Sequence, residues 1–496
     1  MPSFFINGKE NLMAVLKGIE PQTVFDFFEE ICMIPHGSGN TRQLSAYLKK
    51  FAEDRGLKVN QEPCGNIIIY KGASAGYEDS PSICLQGHMD MVCEKAADSR
   101  HDFKKDPLPI AMMDDDVFSR GTTLGADDGI AVAMILAILD SDEYEHPALE
   151  AVFTVDEETG MEGAKSLNYA NIKSRRVINL DSEDEGVIYV SCAGGMSGRI
   201  NLPVDLKMHK GIEYDVVVSG LHGGHSGDMI DRYYANAIVV MGRLLGFLQQ
   251  RMKFRIVELA GGLMDNAIPR EAGCHIQVST ENSIVFEQTI AEFEEIIKNE
   301  YRANEKNLMI YCENLGETER KVVRNESARR MMFLLTAVPD GVIKMCRDQG
   351  QESLVETSLN FGIMRLSEDR FTLEAALRSS ISTEKYALSA KLRAIAEIVG
   401  AEYTEKGDYP AWEYNEESEI RSMLIRLYES QYGQSPVVKG IHSGLECGVI
   451  YHSLKPLDIV SFGPTIRGAH TPKETLSIAS THRTFELLCS LLREMK

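Results

Sequence analysis

Positive charge is scarce in this chain. Of its 496 residues, 52 are basic and 74 acidic, a net charge of −22. Such a surface repels phosphate backbones and anionic lipid, so nucleic acid and membrane are excluded as expected partners. No apolar stretch is long enough to span a bilayer; the best, Ile130 to Leu139, falls far short. The start, MPSFFINGKENLMAVLKG, lacks a basic segment followed by an apolar run and a small-residue cleavage site, so no secretory signal is expected. Ten cysteines occur without a C-x-x-C pair. They read as reduced thiols in a cytoplasmic protein, not as a disulfide frame or zinc knuckle.

A hydrophobic fraction of 44% is ordinary for a globular chain, and the length calls for two domains. Helical spacing occurs at 22–33 and 42–55, and strand runs at 66–71, 82–92, 150–156 and 175–181. Residues 129–140 (GIAVAMILAILD) are too apolar for a surface helix. This alternation predicts an α/β domain, a mostly parallel sheet covered by helices. From about Gly195 the texture changes to amphipathic strands and long helices at about 233–252, 283–306 and 383–399, an α+β pattern with antiparallel strands. Past about Gly407 buried strand and helix return, with a closing helix near 478–494. The prediction is a discontinuous domain of residues 1–194 and 408–496, with an inserted domain at 195–407.

Acidic and histidine residues gather at the edges of the buried elements. His88 and Asp90 form H-x-D at the end of the 82–92 run, where a period of two points both to one side. Asp127 and Asp128 precede the buried helix. Asp156, Glu157 and Glu158 follow one strand run, and Asp181 ends another. His470 lies in GAHTP, before the last helix. Ligands of open α/β sheets bind at the carboxyl ends of strands. Three carboxylates and two imidazoles converging there suit a divalent metal such as zinc, and five ligands exceed what one catalytic zinc usually takes, so two ions are expected.

The segments LQGHMDMV, RGTTLGADDGIAVA, VDEETGMEGA, NLDSEDEG, GGHSG, NAIPREA, HSGLECG and FGPTIRGAHTP, in this order, resemble the aminoacyl-histidine (Xaa-His) dipeptidases of the dinuclear zinc carboxypeptidase and aminoacylase superfamily. The resemblance runs from about Phe25 to the C-terminus. It implies that His88 and Asp181 hold one metal, Glu158 and His470 the other, and that Asp127 bridges them. Glu157 would be the general base, and Asp90 would fix the His88 tautomer, as metal-bound histidines generally require. The inserted domain resembles the family's lid. Its His225 would stabilise an oxyanion and its Arg378 would grip a substrate carboxylate. Asn266, His442 and Glu446 lie in blocks near the substrate, Glu446 as a candidate for a free α-amine. The lid is long, like those that close over their own active site, and homodimers remain compatible with it. Asp128 departs from the family, which often has Asn there.

The expected activity is hydrolysis of small unblocked dipeptides, of Xaa-His type or broader, with two divalent ions: zinc first, manganese or cobalt also suited. An N-acyl amino acid amidohydrolase or carboxypeptidase-like enzyme would use the same ligands and is the alternative.

Overall fold

The computed structural model describes residues 15–347 and 354–496. Most of the N-terminal stretch read above for a signal lies outside them. The chain forms two compact units: residues up to Val190 with Tyr414–Gly440 and Leu445–Lys496, and Ser191–Glu413 with Ile441–Gly444.

Among the described residues, the first unit is built on an eight-stranded sheet. At its centre, Leu149–Thr154, Ile83–His88, Arg176–Asn179 and Asp458–Ser461 pair side by side in parallel. Lys58–Gln61 and Ile67–Lys71 continue it antiparallel on one side. The central strands Ile83–His88 and Leu149–Thr154 are buried throughout, the condition that favours unbroken apolar runs over alternation. Helix Ala126–Asp140 is buried from Gly129 to Leu139, as its composition predicts. Helix Gln22–Cys32 turns Val24, Phe25, Phe28 and Ile31 into the same core.

The strand expected over 82–92 stops at His88. Its neighbour ends at Thr154, the residue paired with His88, so beyond that point the ladder has no partner to continue on. Because the central strands run in parallel, His88, Asp156, Asp181 and the segment after Ser461 all emerge from one edge of the sheet.

Among the described residues, the second unit carries a nine-stranded sheet with antiparallel pairings. Helices Ala237–Gln249, Ser283–Glu300, Asn325–Ala337 and Ser382–Ile398 share a core with it, including Met241, Leu245, Ile276, Phe286, Phe293, Phe361 and Leu373. The first helix begins at Ala237, later than its apolar pattern suggests. Asn236 caps it, accepting the backbone N–H groups of Ile238 and Val239. A short ribbon pairs Gly224–His225 with Ala267–Ile268.

Candidate active site

Asp127 presents its two carboxylate oxygens to two different histidines. Oδ1 lies 3.2 Å from His88 Nε2, and Oδ2 lies 3.1 Å from His470 Nε2. His88 Nε2 is also 3.8 Å from Asp181 Oδ1, and His470 Nε2 is 3.0 Å from Glu158 Oε1. Two ligand sets therefore meet at Asp127: His88, Asp127 and Asp181 on one side, Asp127, Glu158 and His470 on the other. Glu157 groups with His88 and Glu158 within the same reach.

Local backbone geometry makes this possible. Two residues past the strand end at Thr154, Asp156 adopts a left-handed conformation (φ 53°), turning the chain where the adjacent glutamates follow. Gly163 closes the turn by donating its N–H to the Val155 carbonyl at 2.9 Å. A Cβ at that position would lie 2.2 Å from the same carbonyl oxygen, which only glycine avoids. His470 is also left-handed (φ 62°).

Asp90 ties the cluster together, in a manner its spacing did not reveal. Its carboxylate accepts the backbone N–H of Glu157 (2.9 Å) and of Glu158 (3.3 Å), and the Ser38 hydroxyl (2.8 Å). The closer contact to His88 Nδ1 is the Asp90 backbone carbonyl at 2.9 Å, with the carboxylate at 3.6 Å. Nδ1–H directed at Asp90 leaves Nε2 facing Asp127. Burial raises the Asp90 carboxyl, but the His88, Ser38 and Glu157 contacts more than offset it and leave it below the usual range. The buried Asp128 Oδ2 accepts the His88 backbone N–H at 3.1 Å.

Sequence reading missed Glu474. Its buried carboxylate accepts four consecutive backbone N–H groups, from Leu124 (2.8 Å), Gly125 (3.1 Å), Ala126 (2.8 Å) and Asp127 (3.3 Å). These are donors that a helix start leaves without intrahelical partners. The only signal was an acidic residue four positions after His470.

The electrostatics call for a cation. Burial pushes the carboxyls of Glu157 and Asp181 well above the usual range, and neighbouring carboxylates add to this. Hydrogen bonds to Asp127 and Glu158 push His470 up to about 11. A cation among these carboxylates would relieve the same cost, and a donor set of imidazoles and carboxylates is what a borderline divalent ion takes. The residues fit a metal pair.

Glu446 lies in the same unit. Its Oε2 accepts Gln86 Nε2 and Thr154 Oγ1, each at 2.6 Å, while the buried Oε1 has no hydrogen-bond partner among the described residues. Burial pushes its carboxyl up to about 7.

The second unit gathers the other candidates. His225 lies in the short ribbon opposite Ala267, and the Asn266 carbonyl accepts the Ser226 N–H at 2.8 Å. Arg378 is buried without a carboxylate partner among the described residues; Nη1 donates to Tyr409 Oη at 2.9 Å, and Nη2 is 3.4 Å from His225 Nε2. Its strand neighbour Ser358 meets His442 Nε2 at 2.7 Å. A buried guanidinium lacking a counter-ion is a ready receptor for a carboxylate.

Residues 84–494 match the family described as Peptidase family M20/M25/M40. The chain is 36% identical over 485 residues to the cytosol non-specific dipeptidase of Escherichia coli (strain K12), covering 97% of this chain and 99% of that protein. Its fold superimposes on the crystal structure of aminoacylhistidine dipeptidase from Vibrio alginolyticus with a TM-score of 0.88 and 34% identity, covering 97% and 98% of the two chains. A more distant similarity in fold links it to aminopeptidase PepT from Bacillus cereus ATCC 10987 (TM-score 0.55, 16% identity, 96% and 99% covered).

Proposed function

This chain belongs to peptidase family M20/M25/M40, and we propose that it is a metal-dependent dipeptidase acting on small unblocked peptides. The observation that carries the reading is Asp127, one carboxylate facing two imidazole–carboxylate sets through different oxygens. The dipeptidase names of the Escherichia coli and Vibrio alginolyticus relatives support the substrate class, and the former supports a cytoplasmic setting.

In this reading His88 and Asp181 would hold one divalent ion, Glu158 and His470 the other, and Asp127 would serve both. Zinc suits this donor set best, with manganese and cobalt compatible. When bound, such ions polarise the scissile carbonyl and acidify water. Glu157, adjacent to a ligand yet free of that duty, takes the water proton and delivers it to the leaving amine. Asp90 holds the backbone of both glutamates, so base and ligand keep a fixed offset.

The second unit carries the remaining candidate groups. Arg378 would receive the substrate carboxylate through its planar guanidinium, His225 would donate to the oxyanion, and Asn266 and His442 would contact substrate. Glu446, with one buried oxygen unpartnered, takes the free α-amine.

A panel of dipeptides on metal-reconstituted protein tests this. Unblocked dipeptides should be cleaved, with activity lost to a chelator and regained on adding metal. N-acetylated dipeptides cleaved as fast as unblocked ones would contradict the reading.

A further inference from the structure

Among the described residues, Asp228 is the carboxylate in contact with the His225 ring: Oδ2 lies 3.0 Å from Nδ1. A pair three residues apart in a loop is ordinarily a solvated surface contact worth little. Two features set this one apart. The other oxygen, Oδ1, accepts the Ser443 hydroxyl from a segment 215 residues away, so the carboxylate is held from both sides. Of the two intervening residues, Ser226 and Gly227, the second packs tightly: a Cβ there would lie 2.4 Å from Ser443 Oγ and 2.9 Å from His225 Cε1. A side chain at that position would displace the Ser443 hydroxyl or the His225 ring.

The other ring nitrogen faces a cation. His225 Nε2 is 3.4 Å from Arg378 Nη2, and Arg378 also donates to Tyr409. His442 sits beyond, beside Ser358, with burial and Arg378 pushing it down to about 3, so it is neutral. A neutral imidazole whose Nδ1–H is directed at Asp228 has a bare Nε2, which can accept from Arg378 but cannot donate. To donate to an oxyanion, Nε2 must gain a proton beside a guanidinium. A fixed negative charge on the far side of the ring offsets that cost.

We propose that Asp228 is a positioning residue for peptide-bond cleavage: it fixes the His225 ring through Nδ1 and supplies the charge that lets Nε2 carry a proton to the developing oxyanion. The inference rests on the oxyanion role of His225 proposed above. Ser443 completes the arrangement by holding Asp228 in line. Burial raises the Asp228 carboxyl, but the contacts with His225 and Ser443 outweigh it and keep it below the usual carboxylate range, so it is charged at neutral pH.

The test is a double-mutant cycle on the metal-loaded, full-length protein, reading kcat and KM for an unblocked dipeptide. His225→Ala should lower kcat by about 10²–10³-fold, as losing one oxyanion donor does. Asp228→Ala should lower kcat by roughly 10–10²-fold with KM within about twofold, the pattern of an interaction made only in the transition state. Asp228→Asn keeps both hydrogen bonds and removes only the charge, so it should fall between wild type and Asp228→Ala. Added to His225→Ala, the Asp228→Ala change should cost less than about twofold, because it has no ring left to act on. Asp228→Ala at wild-type kcat, or penalties that multiply in the double variant, would overturn the proposal while leaving the role of His225 intact. His225→Ala at the wild-type rate would remove the oxyanion reading itself, and this inference with it.

Discussion

Glu474 accepts the backbone N–H of Asp127 at 3.3 Å, across 347 residues of sequence. Together with its bonds to Leu124, Gly125 and Ala126, this pins the loop that delivers the residue facing both histidines. Glu474→Gln is nearly isosteric, yet its amide group must point at N–H donors. We expect affinity for both metals to fall by roughly 10–100-fold, as for other residues that orient ligands, in equilibrium dialysis against zinc. Unchanged affinity would show that Asp127 holds its place unaided.

Asp127 and His88 should differ in the number of ions they affect. Asp127→Ala removes a carboxylate shared by two sets, so both ions should bind weakly. His88→Ala belongs to one side and should leave about one ion per chain bound. Elemental analysis after gel filtration distinguishes them, and an Asp127→Ala protein retaining both ions tightly would end the bridging assignment.

Arg378 has no carboxylate partner of its own among the described residues. Amidating the C-terminus of a dipeptide should lower kcat/KM by roughly 10–10²-fold, the range for lost hydrogen bonds to charged groups. Arg378→Lys should lose a similar factor on the free dipeptide, since lysine lacks the planar fork. Equal rates on free and amidated substrates would exclude the carboxylate role.

Stability should depend on pH through Asp340. Its Oδ1 accepts the Phe361 N–H (2.8 Å) and Asn236 Nδ2 (3.1 Å), yet burial pushes its carboxyl up to about 7. A folded-state value above the unfolded one means that its contribution is fully present in acid and lost as pH rises through about 7. Asn at this position offers the same acceptor without the charge. Asp340→Asn should therefore stabilise the protein at about pH 8, on the order of 1–4 kcal/mol, and make no difference near pH 3. Thermal unfolding at the two pH values checks this.

Much of the architecture could be read from sequence because it rests on periodicity. The unbroken apolar runs at 83–88 and 149–154 announce strands covered on both faces, and GIAVAMILAILD announces a buried helix. The position of His88, the glutamates and Asp181 at strand ends followed from the same pattern. What escaped was every contact made by side chains with no periodic signature. Glu474 is a lone acid in a loop until the fold brings it to residues 124–127. Asp90 reads as a tautomer-fixing partner of His88, and the spacing gives no sign that its carboxylate also accepts the backbone N–H groups of Glu157 and Glu158. The Asp228–Ser443 contact joins segments 215 residues apart, beyond anything local spacing encodes.

Turnover is expected to depend most directly on Glu157, the proposed base beside the proposed ligand Glu158. The decisive measurement is the turnover of Glu157→Gln on an unblocked dipeptide, with bound metal counted in the same sample. The expected result is two ions per chain and a rate lowered by about 10²–10⁴-fold. A fully metal-loaded Glu157→Gln protein that turns over at nearly the wild-type rate would contradict it.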